Sequence, residues 1–198
     1  GSGRAVLLSC HHDIIEWLVP DWCYDTGTGE LTWPHKEGVQ RPTFDLHIEE
    51  TGWAYWPLFK PHHYLDAGPM PFGTAYVGFV GGEPVVHLGM SGKVSGKRRE
   101  ARACRMVVMP EWQGAGVGMR FLNHLCQREL EGDGFIGKPT NTLFHTAHPG
   151  LVAGLRRDPR WHQLSAHLAG GQGKKDGMSW GGHLRAVSGW RYHGTPSR

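Results

Sequence analysis

The sequence predicts an α/β or α+β domain with a short, separately organised segment ahead of it. Three features predict this. The middle of the chain runs strand, glycine-rich turn, amphipathic helix, strand. Two apolar runs bracket the turn signal "GGEP". A polar stretch with two prolines, "PHKEGVQRP" (34–42), reads as a linker between the first 33 residues and a body that begins at about residue 44. With 198 residues, 39% of them hydrophobic, the chain is long enough for one domain with a core plus an appendage.

The elements follow in order. "AVLLSC" (5–10) is a continuous apolar run and reads as a short buried strand. "DIIEWL" has apolar residues at helical spacing; Asp13 can cap it and Pro20 stops it. "DWCYDTGTGELTW" alternates and turns at Gly27 and Gly29, as a small hairpin does. Beyond the linker, "TFDLHIEE" alternates as a strand. "TGWAYWPLFKPHHYL" resembles a helix with an aromatic face, broken at Pro57 and Pro61. "TAYVGFVGGEPVVHLGMSGKV" is a strand pair, and "ARACRMVVMP" a buried strand ended by Pro110. In "GVGMRFLNHLCQREL", Phe121, Leu122, Leu125, Cys126 and Leu130 form one apolar helical stripe. "NTLFHTAHP" is a strand, "GLVAGLRRDP" a short helix, "GGQGKKDGMS" (170–179) a mobile glycine-rich loop, and "HLRAVSGWRYHG" a final strand.

Gly114, Gly116 and Gly118 crowd the start of the helix, although glycine costs about 1 kcal/mol against alanine in a helix interior. A strand, a glycine-rich turn and a helix start together make an anion site: free N–H groups and the helix dipole point at one spot, and glycine clears the side chains away. No Lys-Ser/Thr follows the last glycine, which excludes a nucleoside-triphosphate loop. Gln113 replaces the first glycine of the dinucleotide fingerprint.

The pattern present is Gln-x-x-Gly-x-Gly (Gln113, Gly116, Gly118) after "VVMP". These residues resemble the GNAT acyltransferase superfamily, and the resemblance runs over about 44–198. It implies a three-layer α+β fold whose mixed, mostly antiparallel central sheet is flanked by helices. It also implies acetyl-CoA or another acyl-CoA as donor. The diphosphate would lie on the amides of Gln113, Gly114, Ala115, Gly116, Val117 and Gly118, with the helix from Met119 lending its positive end. The strand at Met106–Met109, including Val107 and Val108, would splay from its neighbour and offer backbone groups to the pantetheine arm.

"WPLFKPHHYLD", "FHTAHPGLVAGLRRDPRW" and "AVSGWRYHG" resemble one branch, that of phage Mom-type DNA-modifying proteins and of GNAT domains fused behind an ABC-type ATPase. "AVLLSCHHDIIEWLVPDWCYDTGTGEL" looks like the last strand, switch-histidine loop and closing hairpin of such an ATPase, with His11 or His12 at the γ-phosphate sensor. Residues 1–33 are then an ATPase-like remnant or an extension, 34–43 a linker and 44–198 the acyltransferase.

Acyl transfer to nitrogen needs a neutral amine, donors for the oxyanion and a proton for the leaving thiolate. The candidates are His63, Tyr64 and His148, with Arg105 and His145 second; each histidine is weighed against a purely structural role. Cys10, Cys23, Cys104 and Cys126 are scattered, which points to reduced thiols; Cys10, His11, His12 and Cys23 fit no common zinc spacing, so no metal is expected. No apolar run approaches the roughly 18 residues of a membrane span, and no basic-then-apolar leader opens the chain, so a cytoplasmic protein is expected.

Charge is asymmetric. Residues 1–90 carry 4 Lys/Arg and 11 Asp/Glu, whereas residues 91–198 carry 17 and 7, a balance of +10. A one-sided positive surface suits a polyanion or a phosphorylated cofactor. With Trp53, Tyr55, Trp56 and Tyr64 near what the resemblance implies is the acceptor side, and with the Mom-type motifs, a nucleobase in DNA is the leading acceptor. An amine on a protein or small molecule, and a non-catalytic nucleic-acid-binding module, are the rival readings.

Overall fold

In the computed structural model, the residues described are 5–10, 14–18, 20–32, 44–64, 68–70, 72–95, 98–169, 173–175, 178–180 and 185–195. The chain divides into two compact units, Gly1–Asp45 and Leu46–Arg198.

In the first unit, α1 (Ile14–Leu18) and the antiparallel hairpin β1 (Cys23–Asp25) and β2 (Glu30–Thr32) match the helix and hairpin expected. Asp25 Oδ1 accepts from the Gly27 N–H at 2.8 Å, which closes the turn. The strand expected at 5–10 is not there. Its residues join no ladder, and Val6, Leu7 and Leu8 are 70%, 65% and 91% exposed. An apolar run becomes a strand only where a sheet edge accepts it, and among the described residues none does. Asp13, His11, His12 and the linker lie outside the described residues.

The second unit is built on a seven-stranded sheet in the order β3-β4-β5-β6-β7-β11-β8. Its strands are β3 (His47–Glu50), β4 (Thr74–Val80), β5 (Glu83–Ser95), β6 (Arg98–Val108), β7 (Thr142–Thr146), β8 (Trp161–Ala169) and β11 (Arg185–Tyr192). All neighbours are antiparallel except β6 and β7, which run parallel. Gly81 and Gly82 both have positive φ, 59° and 86°, and join β4 to β5 as the "GGEP" signal requires.

α3 (Val117–Glu131) packs on β5, β6 and β7 through Phe121, Leu122, Leu125 and Cys126; Leu130 is half-buried. It starts two residues before Met119 and ends at Gly132, whose φ of 96° is the left-handed cap glycine supplies. α2 (Trp56–Phe59) is a single turn. Pro57 sits in its first turn, where no N–H is needed, and Pro61 opens the 3₁₀ turn Lys60–His62. The prolines therefore start two short turns, not break a long helix. Trp56 and Phe59 pack on Val77, Phe79 and Val107. α4 (Pro149–Arg157) lies beside α3, where a Cβ on Gly154 would come within 3.3 Å of Met119 Sδ.

Two further differences concern the carboxyl-terminal third. β8 was not anticipated: from Gln163 to Leu168 it is largely exposed at the sheet edge, so it lacks the apolar alternation that marks a strand. Within 170–179, read as a loop, β9 (Gly173–Lys175) pairs antiparallel with β10 (Met178–Trp180). No helix among the described residues is long and apolar enough to cross a membrane.

Candidate functional site

The site begins where β6 and β7 part. Their parallel ladder covers only Ala101–Ala103 against Thr142–Phe144. Beyond it β6 runs on to Val108 and β7 to Thr146 without pairing to each other, so the backbone of 104–108 has an open edge on that side. That is the splay expected around Met106.

A bulge shapes this stretch. Gly89 pairs with Cys104 and His87 with Val107, so Leu88 faces both Arg105 and Met106. Arg105 adopts φ 52°, the one positive φ outside glycine among the described residues.

The turn closes the cleft at one end. Pro110–Trp112 is a 3₁₀ turn, and Gln113 Nε2 donates to the Val108 carbonyl at 3.1 Å, tying the loop back to its strand. Gly114 and Gly116 have φ 85° and 81°, with open space where a Cβ would point. The first backbone bond of α3 runs from the Arg120 N–H to the Gly116 carbonyl at 3.3 Å. The amides of Val117, Gly118 and Met119 therefore have no intrahelical acceptor. Gly118 serves packing: a Cβ there would lie 2.8 Å from Met106 Cε and 3.0 Å from Val108 Cγ2. Glycine thus allows α3 to press on β6.

A cavity of about 490 Å³ fills the cleft. Its walls bring together His63, Tyr64, Arg105, His145 and His148, all the candidate catalytic residues, although they come from three separate places in the chain. Met106, Val107, Val108, Gln113, Gly114, Gly116, Gly118 and Met119 line it too, joined by His62, Trp112, Phe144, Thr146, Gly150 and Leu151. Three of the expected donor-site residues do not. Ala115 is exposed on the turn and Val117 is core. The Met109 amide donates to the Val85 carbonyl at 2.9 Å and its side chain joins the Trp56 cluster.

Local bonds settle some proton positions. His148 is the N-cap of α4, and its Nδ1 accepts from the Leu151 N–H at 3.3 Å. Its neutral ring then carries hydrogen on Nε2. The His63 ring packs on Trp56 and Tyr64, at 5.5 and 4.8 Å between centroids. His145 faces Gly189 across the ladder, where a Cβ would come within 3.0 Å of His145 Nε2 and 2.5 Å of Ser165 Oγ. Burial pushes the Cys104 thiol up, against the pull of Arg105 and Arg102, which leaves it a poor nucleophile.

A second cavity, of about 590 Å³, opens between α3 and α4, lined by Met119, Arg120, Asn123, Arg157, Asp158 and Arg160 among others. A bonded network holds its floor. Arg160 makes a two-pronged pair with Asp158 at 2.8 and 2.7 Å, Asn123 Nδ2 donates to Asp158 at 2.9 Å, and Trp161 Nε1 donates to Asn123 at 2.7 Å. Burial acts to raise the Asp158 carboxyl, but the bonds from Arg160 and Asn123 outweigh it and hold it below the ordinary carboxylate range. Sequence reasoning missed this pocket, because Arg120 and Arg157 are far apart in the chain and each reads as a surface charge.

No protein-family model matches the sequence, and no curated protein does. Solved structures do match. The ribosomal-protein-S18-alanine N-acetyltransferase of Escherichia coli superposes with a TM-score of 0.54 at 12% identity, over 78% of this chain and 97% of that one. A GNAT-family acetyltransferase of Streptococcus pneumoniae gives 0.54 at 11%, over 74% and 98%. A Bacillus subtilis acetyltransferase in complex with CoA gives 0.50 at 11%, over 76% and 99%. The splayed parallel pair, the glycine turn and the mixed seven-stranded sheet together with these likenesses show that the chain has the fold of the GNAT acetyltransferases.

Proposed function

We propose that this chain is an acyl-CoA-dependent N-acyltransferase. The observation that carries the reading is the convergence, in one cavity, of the open β6 edge, the glycine turn at the start of α3 and the histidines. Free amides at Val117–Met119 suit a diphosphate, and the unpaired edge of 104–108 suits an extended arm bearing amide groups. Arg120 and Arg157, in the neighbouring pocket, suit the further phosphate of CoA. The CoA-bound Bacillus subtilis neighbour supports the same donor. Acyl-CoA supplies an activated thioester.

The chain's own residues supply the proton handling. His148, with hydrogen on Nε2, can donate a hydrogen bond to the leaving thiolate, and the phenol hydroxyl of Tyr64 on the same wall is the group to give that thiolate its proton. The base that takes the amine proton falls to His63 or His145, and Arg105 offers positive charge to the oxyanion.

For the acceptor we favour a nucleobase amine in DNA. No carboxylate is among the described residues that line the cavity, whereas Arg105 and four histidines are. An alkylammonium acceptor calls for carboxylates; a neutral base flanked by phosphates does not. Tyr64, 59% exposed on the cavity wall, offers a flat surface, and residues 91–198 carry the +10 balance. The test is incubation with DNA and acyl-CoA, digestion to nucleosides, and mass spectrometry. A nucleoside adduct, with DNA binding that weakens steeply with salt, is expected. A peptide adduct without a nucleoside adduct assigns the acceptor to a protein amine, as in the S18-alanine enzyme of similar fold. Absence of any acyl-CoA binding leaves only a non-catalytic module.

The first unit we propose to be part of an ABC-type ATPase domain. No described residue of Gly1–Asp45 is buried, and Val6–Leu8 together with Trp17 and Tyr24 leave apolar surface uncovered, as a piece of a larger sheet would. Removing residues 1–33 should then leave acyl-CoA affinity unchanged, and a loss of affinity would assign the segment to the acyltransferase.

A further inference from the structure

The bulge that shapes the cleft depends on a residue that does not line it. Arg105, at φ 52°, holds a conformation that is strained for any residue bearing a side chain. The bulge also leaves two β6 residues opposite Leu88, so one of them must find bonding partners outside the regular ladder. Something must supply them.

His87 does. It lies on β5 next to Leu88 and is fully buried, at 0% exposure. Its ring is enclosed by Trp53, Trp56 and Phe59, with centroids at 5.6, 5.1 and 5.3 Å. Nδ1 lies 3.0 Å from the Arg105 carbonyl oxygen, which can only accept, so Nδ1 carries the hydrogen. Nε2 is buried without a hydrogen-bond partner among the described residues. An isoleucine or leucine would fill such an aromatic box without leaving a lone pair unmatched. A histidine here is explained by the bond it makes to Arg105. The Arg105 side chain is anchored as well, Nε donating to the Gly68 carbonyl at 3.2 Å.

We infer that His87 is a positioning residue: its Nδ1–H holds Arg105 in the left-handed conformation, and through it the run Arg105–Val108 that lines the cavity. Without that donor, Arg105 relaxes to extended backbone, the bulge shifts by a residue, and Met106 and Val108 lose their places against Gly118. The consequence for acyl-CoA rests on the function proposed above; the conformation of Arg105 does not.

The experiment keeps the two apart. In the wild-type protein, long-range proton–nitrogen NMR of the imidazole reads the tautomer, and the Arg105 13Cα and 13Cβ shifts read its backbone conformation. Hydrogen on Nδ1 of His87 and a left-handed Arg105 are expected; hydrogen on Nε2 overturns the inference. His87→Asn keeps an N–H near the place of Nδ1, and His87→Leu removes it. Arg105 should keep its left-handed shifts in His87→Asn and lose them in His87→Leu, with acyl-CoA affinity about tenfold weaker in the leucine variant only. Should His87→Leu fail to fold, adding Arg105→Gly should restore folding, because glycine takes a positive φ without a donor to hold it. Left-handed Arg105 shifts in folded His87→Leu, or a double variant no better folded than the single, would overturn the inference. Wild-type protein that shows the expected NMR signature but binds no acyl-CoA refutes the proposed function and leaves this inference standing.

Discussion

The ring of His148 caps the helix whose third residue is Leu151, Nδ1 accepting from the Leu151 N–H at 3.3 Å, and the same ring lines the central cavity. One nitrogen is thereby spent on the fold and the other is left for chemistry. His148→Asn preserves a capping oxygen and should keep stability, whereas His148→Ala should lose about 1 kcal/mol. Both remove Nε2–H, so transfer should fall about 10- to 100-fold in each. Thermal melts beside single-turnover rates check this; full activity in His148→Asn would confine the residue to capping.

Gly116 and Gly118 should separate binding from packing. A side chain at Gly116 meets open space, and aspartate is among the residues that tolerate its left-handed φ of 81°, so Gly116→Asp should fold at a cost of about 1 kcal/mol and lose acyl-CoA binding. Gly118→Val forces β6 and α3 apart and should cost about 1–3 kcal/mol in stability as well as affinity. Calorimetric titration and denaturant unfolding of both variants distinguish the two effects. Unchanged affinity in folded Gly116→Asp would remove the diphosphate from this turn.

Arg120 and Arg157 should recognise a phosphate that dephospho-CoA lacks. Arg120→Ala and Arg157→Ala are expected to weaken CoA by about 5- to 30-fold, the range of 1–2 kcal/mol, and to leave dephospho-CoA nearly unaffected. Equal losses for both ligands would place the phosphate elsewhere.

His87 gives stability a pH dependence of known sign. Burial pushes its pKa down to about 4, against the bond to Arg105 and with help from nearby His63. Free histidine titrates near 6.5. Between those values the unfolded chain binds the proton and the folded chain does not, so the contribution is present above pH 6.5 and lost as pH falls toward 4. The loss is about 3 kcal/mol across that window. His87→Leu should flatten the curve of unfolding free energy against pH over the same range, and an unchanged slope would show that another group is responsible.

Much of this protein is determined locally. The Gly81-Gly82 hairpin, the Pro110 stop and the Gln113–Gly118 turn with its helix rest on backbone conformations that only particular residues take, so their letters announce them. The expectation of an anion at this turn rests on the same local ground, because glycine spacing and a helix start are matters of neighbours in sequence. Tertiary structure decided the rest. The sequence offers His63, Tyr64, Arg105, His145 and His148 as candidates, but only the sheet order brings them to one cavity. Nothing in "VVHLGM" marks His87, whose part comes from a bulge on the neighbouring strand and three rings from elsewhere. The apolar run at 5–10 shows the converse: its composition favours a strand, but a strand is a bond to a neighbour, and hydrogen bonds across a sheet depend on what the rest of the chain, or another sheet, places alongside.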